Sequence, residues 1–321
     1  MSPSRPLPEV QLDDDRLSRG PWIYARRIRS VSEGIEDGDL VEVLDASERF
    51  VGHGLFNGRS DIALRMISRG RRTDLARPDQ FLLARLKRAD DLRRRALALP
   101  QVTDAYRVVH GEGDDLPGLV VDHLGDTLVV EHHALGFWRL RDTVEKALRQ
   151  LYPERHVVHR IPAGARRAEG YDEQDLIEAE EAGTEREILV TEHGVRHPIR
   201  PGAGHKTGFF CDQRDNRRRI AELSAGKSVL DLCCNTGGFA LHAARAGART
   251  VTGVDLDEVV LERAEQGARE NRLEVEWHHL DAFRYLRGAR EAQQRHQLVV
   301  LDPPKLAHGR RDVDAALLKY A

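Results

Sequence analysis

The chain has 321 residues, of which 40% are hydrophobic and 32% charged, with a formal net charge of −3 and three cysteines. Those figures fit a soluble, globular, cytoplasmic protein of two or three domains. They speak against a membrane protein, a secreted protein and a structural zinc protein: apolar runs stay strand-sized, the N-terminal MSPSRPLPEVQLDDD has acids where a signal peptide needs an apolar core, and adjacent Cys233-Cys234 do not resemble spaced ligands.

The slight negative charge also argues against a wholly basic nucleic-acid binder, but it averages over clusters. Arginines bunch at Arg26-Arg27-Ile28-Arg29, Arg69-Gly70-Arg71-Arg72, Arg93-Arg94-Arg95, Arg166-Arg167 and Arg217-Arg218-Arg219. Such patches neutralise phosphates even on a mildly acidic protein, and they serve equally as solvated helix faces.

In chain order, residues 1–15 are Pro-rich and acidic without periodicity and read as a disordered arm. Residues 16–75 hold short β runs, WIYARRI, DLVEVLDA, FVGHGLFN and IALRMISR, between Gly and Asp turns, which suggests a small barrel or sandwich. Residues 76–200 read as a central α+β domain. It starts with a helix over about 78–99, carrying Leu82, Leu83, Leu86 and Leu92 at helical spacing. Strands follow through AYRVVHGEGDDLPGLVVDHLGDTLVVEHH, broken at two turn sequences, then a helix near 138–151 and strands near 156–161 and 186–191. The acidic stretch 169–185 reads as a solvated loop and His197-Pro198-Ile199-Arg200-Pro201-Gly202 as a linker.

The last domain occupies residues 201–321, and from Lys227 the pattern alternates strand and helix. Strands are expected at 228–232, 250–255, 274–278 and 298–302, with helices at 238–246, 257–271 and 282–292 between them. That alternation calls for a parallel, doubly wound sheet. Four of its runs end in an aspartate, Asp231, Asp255, Asp281 and Asp302. Strand carboxyl ends of such a sheet line one crevice, so these acids should converge on a ligand.

The turn after Asp231, Asn235-Thr236-Gly237-Gly238-Phe239, lets backbone approach a bound molecule but lacks the G-x-G-x-x-G spacing that cradles a pyrophosphate. S-adenosylmethionine, which has no phosphate, suits it better. Asp231 is placed to meet that cofactor's ammonium group. Asp255, 24 positions on, is at the spacing of a ribose acceptor, and Asp281 would face the adenine amine. Any one of the three could simply cap the following helix. Asp302-Pro303-Pro304-Lys305 forms a rigid rim of outward carbonyls suited to a flipped-out base, or else a plain strand terminator. Lys305-Leu306 stands where enzymes that methylate an exocyclic amine carry an aromatic residue. Methylation at cytosine C5 needs a thiolate that adds at C6, and Cys211, Cys233 and Cys234 read better as packing residues than as that nucleophile.

Together these motifs resemble the bacterial 23S rRNA 5-methylcytosine methyltransferases with an N-terminal PUA domain. The resemblance spans nearly the whole chain and rests on Gly111-Glu112-Gly113-Asp114-Asp115-Leu116-Pro117-Gly118-Leu119, the block Gly204-His205-Lys206-Thr207-Gly208-Phe209-Phe210-Cys211-Asp212-Gln213-Arg214, the glycine turn, and Asp302 to Lys305. It implies a PUA-like β-barrel, a central α+β domain and a Rossmann-like class I methyltransferase domain acting on ribosomal RNA. It further implies that the Lys206 to Arg214 segment folds over the cofactor, with Gln213 and Arg214 near its methionine end. In that family the sheet runs through further strands and the nucleophile lies in a later Ser-Cys-Ser type segment. The expectation is therefore a truncated chain with an incomplete sheet, impaired as written. Methylation of guanine N7, or an inactive module that binds S-adenosylmethionine and RNA, are the alternatives, and an NAD-dependent oxidoreductase ranks below them. Oligomeric state is left open, a homodimer included.

Overall fold

The computed structural model describes residues 7–15, 19–75, 77–181, 186–202, 207–305 and 309–320. The chain divides into two compact units, Met1–Glu187 with Arg200–Phe209, and Ile188–Ile199 with Phe210–Ala321.

The first unit contains a six-stranded sheet of β1 (Glu9–Leu12), β2 (Trp22–Ile23), β3 (Ile28–Val31), β4 (Leu40–Leu44), β5 (Phe50–Phe56) and β6 (Leu64–Ser68), in the order β2-β6-β5-β4-β1-β3. β1 lies where a disordered arm was expected. It pairs antiparallel with β3 and parallel with β4, and its alternating Val10 and Leu12 are fully buried against Ile23, Val41, Val43 and Leu64. Two apolar residues suffice because neighbouring strands flank them on both sides. The prolines and acids around them hide the signal, and residues 1–6 of the expected arm lie outside the described residues.

The same unit continues through α1 (Pro78–Asp91), which begins on its proline as a first helical turn allows. A wider turn at Leu92–Ala96 and left-handed Ala98 (φ 50°) end the helical run. Next come β7 (Ala105–His110), β8 (Leu119–Leu124), β9 (Thr127–His132), α2 (Leu135–Arg139), α3 (Arg141–Leu151), β10 (His156–Arg160), α4 (Ala163–Glu169) and α5 (Glu173–Glu181), with strands ordered β10-β9-β8-β7. Leu82, Leu86, Val144 and Leu148 of α1 and α3 close over Tyr106, Val108, Val121 and Val130 in one core. Each such side chain contributes about 1.5–3 kcal/mol on burial. Much of the expected loop 169–185 is thus helical. Buried Asp175 accepts hydrogen bonds from Trp138 Nε1 (2.6 Å) and Arg139 Nη1 (3.0 Å), buried Glu169 accepts from Arg65 Nη2 (2.6 Å), and Leu176 and Ala179 pack beside Trp138, so an acid-rich segment is held by satisfied acids and one apolar face.

The second unit opens with a hairpin of β11 (Ile188–Glu192) and β12 (Val195–Ile199). His193 (φ 48°) and Gly194 (φ 78°) form its two-residue turn, both in the left-handed region that strand twist favours there. Residues 197–199, expected as linker, are therefore strand. Asn271 explains this: its amide bonds both the N–H (2.9 Å) and the C=O (2.6 Å) of Arg196 and ties the hairpin to the helix that carries it.

Beyond the hairpin run α6 (Arg214–Ser224), β13 (Ser228–Leu232), α7 (Gly238–Arg245), β14 (Thr250–Asp255), α8 (Glu258–Asn271), β15 (Glu276–His279), α9 (Ala282–Glu291), β16 (Leu298–Leu301) and α10 (Val313–Tyr320). The four strands are parallel in the order β15-β14-β13-β16. β13 is wholly buried: Val229 meets Ala240 and Ala243 of α7 on one face, and Leu230 and Leu232 meet Tyr285 of α9 on the other. The connection order reverses between β13 and β16, which is where an open parallel sheet binds its ligand.

Candidate cofactor and substrate site

Between β13 and α7 the backbone is bent into the left-handed region at Cys233 (φ 59°), Asn235 (φ 51°) and Gly237 (φ 73°). Hydrogen bonds hold the bend, two of them to β14. Cys234 N–H donates to the Val254 carbonyl (3.1 Å), Asn235 N–H to Asp255 Oδ2 (2.8 Å), and Gly237 N–H to the Cys234 carbonyl (2.9 Å). The glycine pair was expected to make room for a ligand, yet the space a Cβ would take is filled by protein. At Gly237 it would stand 2.5 Å from the Trp277 ring, and at Gly238 2.6 Å from Arg217 Nε. Trp277 was not singled out from sequence, and Arg217 only as part of a basic cluster, because each contact crosses between elements distant in the chain. Thr236 and Phe239, beside them, remain partly exposed.

The four aspartates do reach strand ends, but in different states. Asp231 is 1% exposed, and its Oδ2 accepts the Ala240 N–H of α7 at 3.0 Å. Burial pushes its carboxyl up to about 7, against the pull of the Ala240 amide and the Arg217 charge. One carboxylate oxygen of Asp231 thus clamps the helix start. Asp255 is partly exposed and takes one amide on each oxygen, Asn235 on Oδ2 and Asp257 (3.0 Å) on Oδ1, leaving lone pairs on both. Asp281 caps α9 through Arg284 N–H (2.9 Å) with Oδ1. The capping alternative is thus realised, and its other oxygen keeps acceptor capacity. Exposed Leu256 and Phe283 stand beside these two acids, an apolar pair that sequence reasoning passed over because large exposed apolar residues carry no signal until the surface is known.

Asp302 is exposed, and its Oδ2 accepts Gln213 Nε2 at 2.8 Å. Asn216 Nδ2 donates to Gln213 Oε1 at 2.7 Å, which turns the Gln213 amide so that its NH2 faces the acid. Gln213 is therefore brought to Asp302, just past the end of β16. Arg214 instead pairs with its neighbour Asp215 (3.2 Å). Pro303 is partly buried, Pro304 and Lys305 are exposed, and Leu306 lies outside the described residues, as does Lys206 of the segment expected to fold over the cofactor.

Behind the turn lies a buried polar cluster. Arg217 Nη1 meets Glu192 Oε1 at 2.8 Å and Nη2 donates to the Phe210 carbonyl at 2.9 Å. Burial alone would raise Glu192, but His242 and Arg217 outweigh it and take the carboxyl down to about 2. Glu192, His197 and His242 place ligand atoms within 4.8 Å of one another, a spacing a metal could use. Arg217 already supplies a cation to the same carboxylate, and a second positive charge in so dry a pocket would be strongly repelled.

The donors and acceptors fit S-adenosylmethionine better than a dinucleotide. Asp231 occupies an N-terminal amide of α7 that a pyrophosphate would need and sets an acid there, whereas Asp255 and Asp281 offer acceptors to hydroxyls and an amine. Burial raises the Cys233 and Cys234 thiols, with Asp231 and Asp255 pushing the same way, which opposes thiolate formation. Of the arginine clusters, Arg93, Arg94 and Arg95 are paired with Asp114, Asp90 and Asp91, and Arg217 is buried.

Family models match in two places, a PUA-like domain over residues 13–69 and a Methyltransferase domain over residues 229–319. The chain is similar to Ribosomal RNA large subunit methyltransferase I of Aeromonas salmonicida, 35% identical over 95% of this chain and 76% of that protein. It is similar to the protein of the same name from Tolumonas auensis, 32% identical over 97% of this chain and 79% of the other. In fold it resembles a solved structure from Streptococcus mutans described as a SAM-dependent methyltransferase, with a TM-score of 0.74 at 22% identity over 97% of this chain and 82% of that one. A second solved methyltransferase, complexed with SAH, has a TM-score of 0.73 at 23% identity over 91% of this chain and 74% of that one.

Proposed function

The chain belongs to the Ribosomal RNA large subunit methyltransferase I family, and from that premise we propose that it methylates C5 of a cytosine in 23S ribosomal RNA with S-adenosylmethionine as methyl donor. The cofactor supplies an electrophilic methyl group carried on a sulfonium. Asp255 carries the reading: its partly exposed carboxylate, fixed by two backbone amides at the end of β14, keeps lone pairs for the two ribose hydroxyls. The free oxygen of Asp281 accepts the adenine amine, and Leu256 and Phe283 offer apolar surface to the ring. Asn235, Thr236, Gly237, Gly238 and Phe239 form the wall on which the methionine portion lies. Asp231 holds that wall to α7. Gln213 and Arg214 lie toward the methionine end.

Asp302, Pro303, Pro304 and Lys305 orient the base. Gln213 keeps the Asp302 carboxylate turned toward α6, and the two prolines remove backbone donors so that the rim presents acceptors. The PUA-like domain positions the RNA. Neither Cys233 nor Cys234 is assigned the nucleophilic role that C5 chemistry demands, since burial raises both thiols. The same observation favours guanine N7 as second reading, because that nitrogen is nucleophilic without a thiolate.

Nucleoside mass spectrometry of 23S ribosomal RNA from cells carrying and lacking the gene separates the two. Loss of one 5-methylcytosine supports the first reading. Unchanged 5-methylcytosine with a lost 7-methylguanine supports the second.

A further inference from the structure

Gly238 is the first residue of α7, and its backbone dihedral lies outside the left-handed region that glycine alone adopts readily. What requires glycine there is proximity. A Cβ would stand 2.6 Å from Arg217 Nε, 3.3 Å from Cζ and 3.4 Å from Cδ, so the guanidinium and the end of its stem lie against the start of the helix. The guanidinium is held at both ends, by the Glu192 carboxylate on Nη1 and the Phe210 carbonyl on Nη2. Glu192 is fully buried at the end of β11, and its Oε1 also lies 3.5 Å from His242 Nε2 in the middle of α7. One carboxylate therefore links the hairpin to α6 and α7 together.

Burying such a pair adds little to stability, because desolvation offsets most of the attraction and well-packed apolar residues often do as well. What the ion pair adds is a fixed plane, since a guanidinium with two oriented acceptors has one arrangement. We propose that Arg217, set by Glu192, is a positioning residue for the cofactor: it fixes the start of α7, and through it the turn whose Asn235 amide orients Asp255. This rests on the reading of that turn as the S-adenosylmethionine site. The β11–β12 hairpin then has a function of its own, as the strut that delivers Glu192.

The test is calorimetric titration of S-adenosylmethionine into the full chain and its variants, with circular dichroism as the folding control. Arg217→Met and Gly238→Ala should each weaken binding by about tenfold. In an Arg217→Ala background the methyl of Gly238→Ala enters vacated space, so there the same change should cost less than about twofold. Arg217→Lys should restore the melting temperature without restoring affinity, because one ammonium cannot span Glu192 and Phe210 in a fixed plane. Wild-type affinity in folded Arg217→Met, or strictly additive losses in the double variant, would overturn the proposal. One zinc ion per chain, lost in His242→Ala, would also overturn it by giving the cluster to a metal. A wild-type chain that binds no S-adenosylmethionine would remove the cofactor reading and this inference together.

Discussion

At the β13–β14 end of the crevice, the polar groups that shape the turn already have protein partners. Asp231 holds the Ala240 amide, Asp255 holds Asn235 and Asp257, Trp277 fills the space beside Gly237, and Arg217 that beside Gly238. At the β16 end, Asp302 is exposed, tethered by Gln213, and the chain leads out through Pro304 and Lys305 at the surface. One end is assembled by the fold before any ligand arrives. The other presents a rigid but open rim, which suits a large substrate that brings its own shape. On the proposed reading, preorganisation is concentrated at the cofactor's end of the crevice, and ordering costs are left to the end that meets RNA.

The contrast breaks most completely at Gly237. Gly237→Val sets a branched side chain at a φ of 73° with its Cβ 2.5 Å from the Trp277 ring and 3.1 Å from Ala264 Cβ. Unfolding in denaturant should show a loss of about 2–4 kcal/mol, with cofactor binding abolished.

Asp231 gives a comparable effect that depends on pH. Its folded-state pKa of about 7 lies above the usual aspartate value, so between roughly pH 4 and 7 the native state holds a proton that the unfolded state has released. Its stabilising contribution is complete at low pH and is lost as pH rises through 7. Subtracting the stability curve of Asp231→Asn from that of the wild type should expose this loss, up to about 4 kcal/mol. A pH-independent difference would mean that the clamp is not desolvated in the free protein.

The smallest effect on the fold is expected at the open rim. Asp302→Asn should change stability by less than about 0.5 kcal/mol, as for other exposed positions, and leave cofactor affinity within about twofold. Its effect should appear in methylation of ribosomal RNA. A large stability change there would erase the distinction between the two ends.

Much of this could be read from residues. The strand and helix alternation after Lys227, the aspartates at strand ends and the departure from dinucleotide spacing all lie within local stretches of chain. The supports could not. Trp277 meets Gly237 across 40 positions (277 − 237) and Glu192 meets Arg217 across 25, and no local pattern encodes such meetings. β1 was hidden because Val10 and Leu12 draw their burial from strands elsewhere, and α5 because one buried acid, Asp175, looks in sequence like its solvated neighbours. The second task of Asp231 and Asp281 is equally illegible: a strand-terminal aspartate that clamps or caps a helix has the same sequence signature as one that meets a ligand.

The most direct test of the account is calorimetric titration of S-adenosylmethionine into the wild-type chain, Asp255→Ala and Asp302→Ala. Loss of the two charge-assisted ribose contacts should weaken binding to Asp255→Ala by about tenfold or more, while Asp302→Ala binds like the wild type. Equal affinity in Asp255→Ala and the wild type, with both chains folded, would contradict the assignment of this end of the crevice to the cofactor.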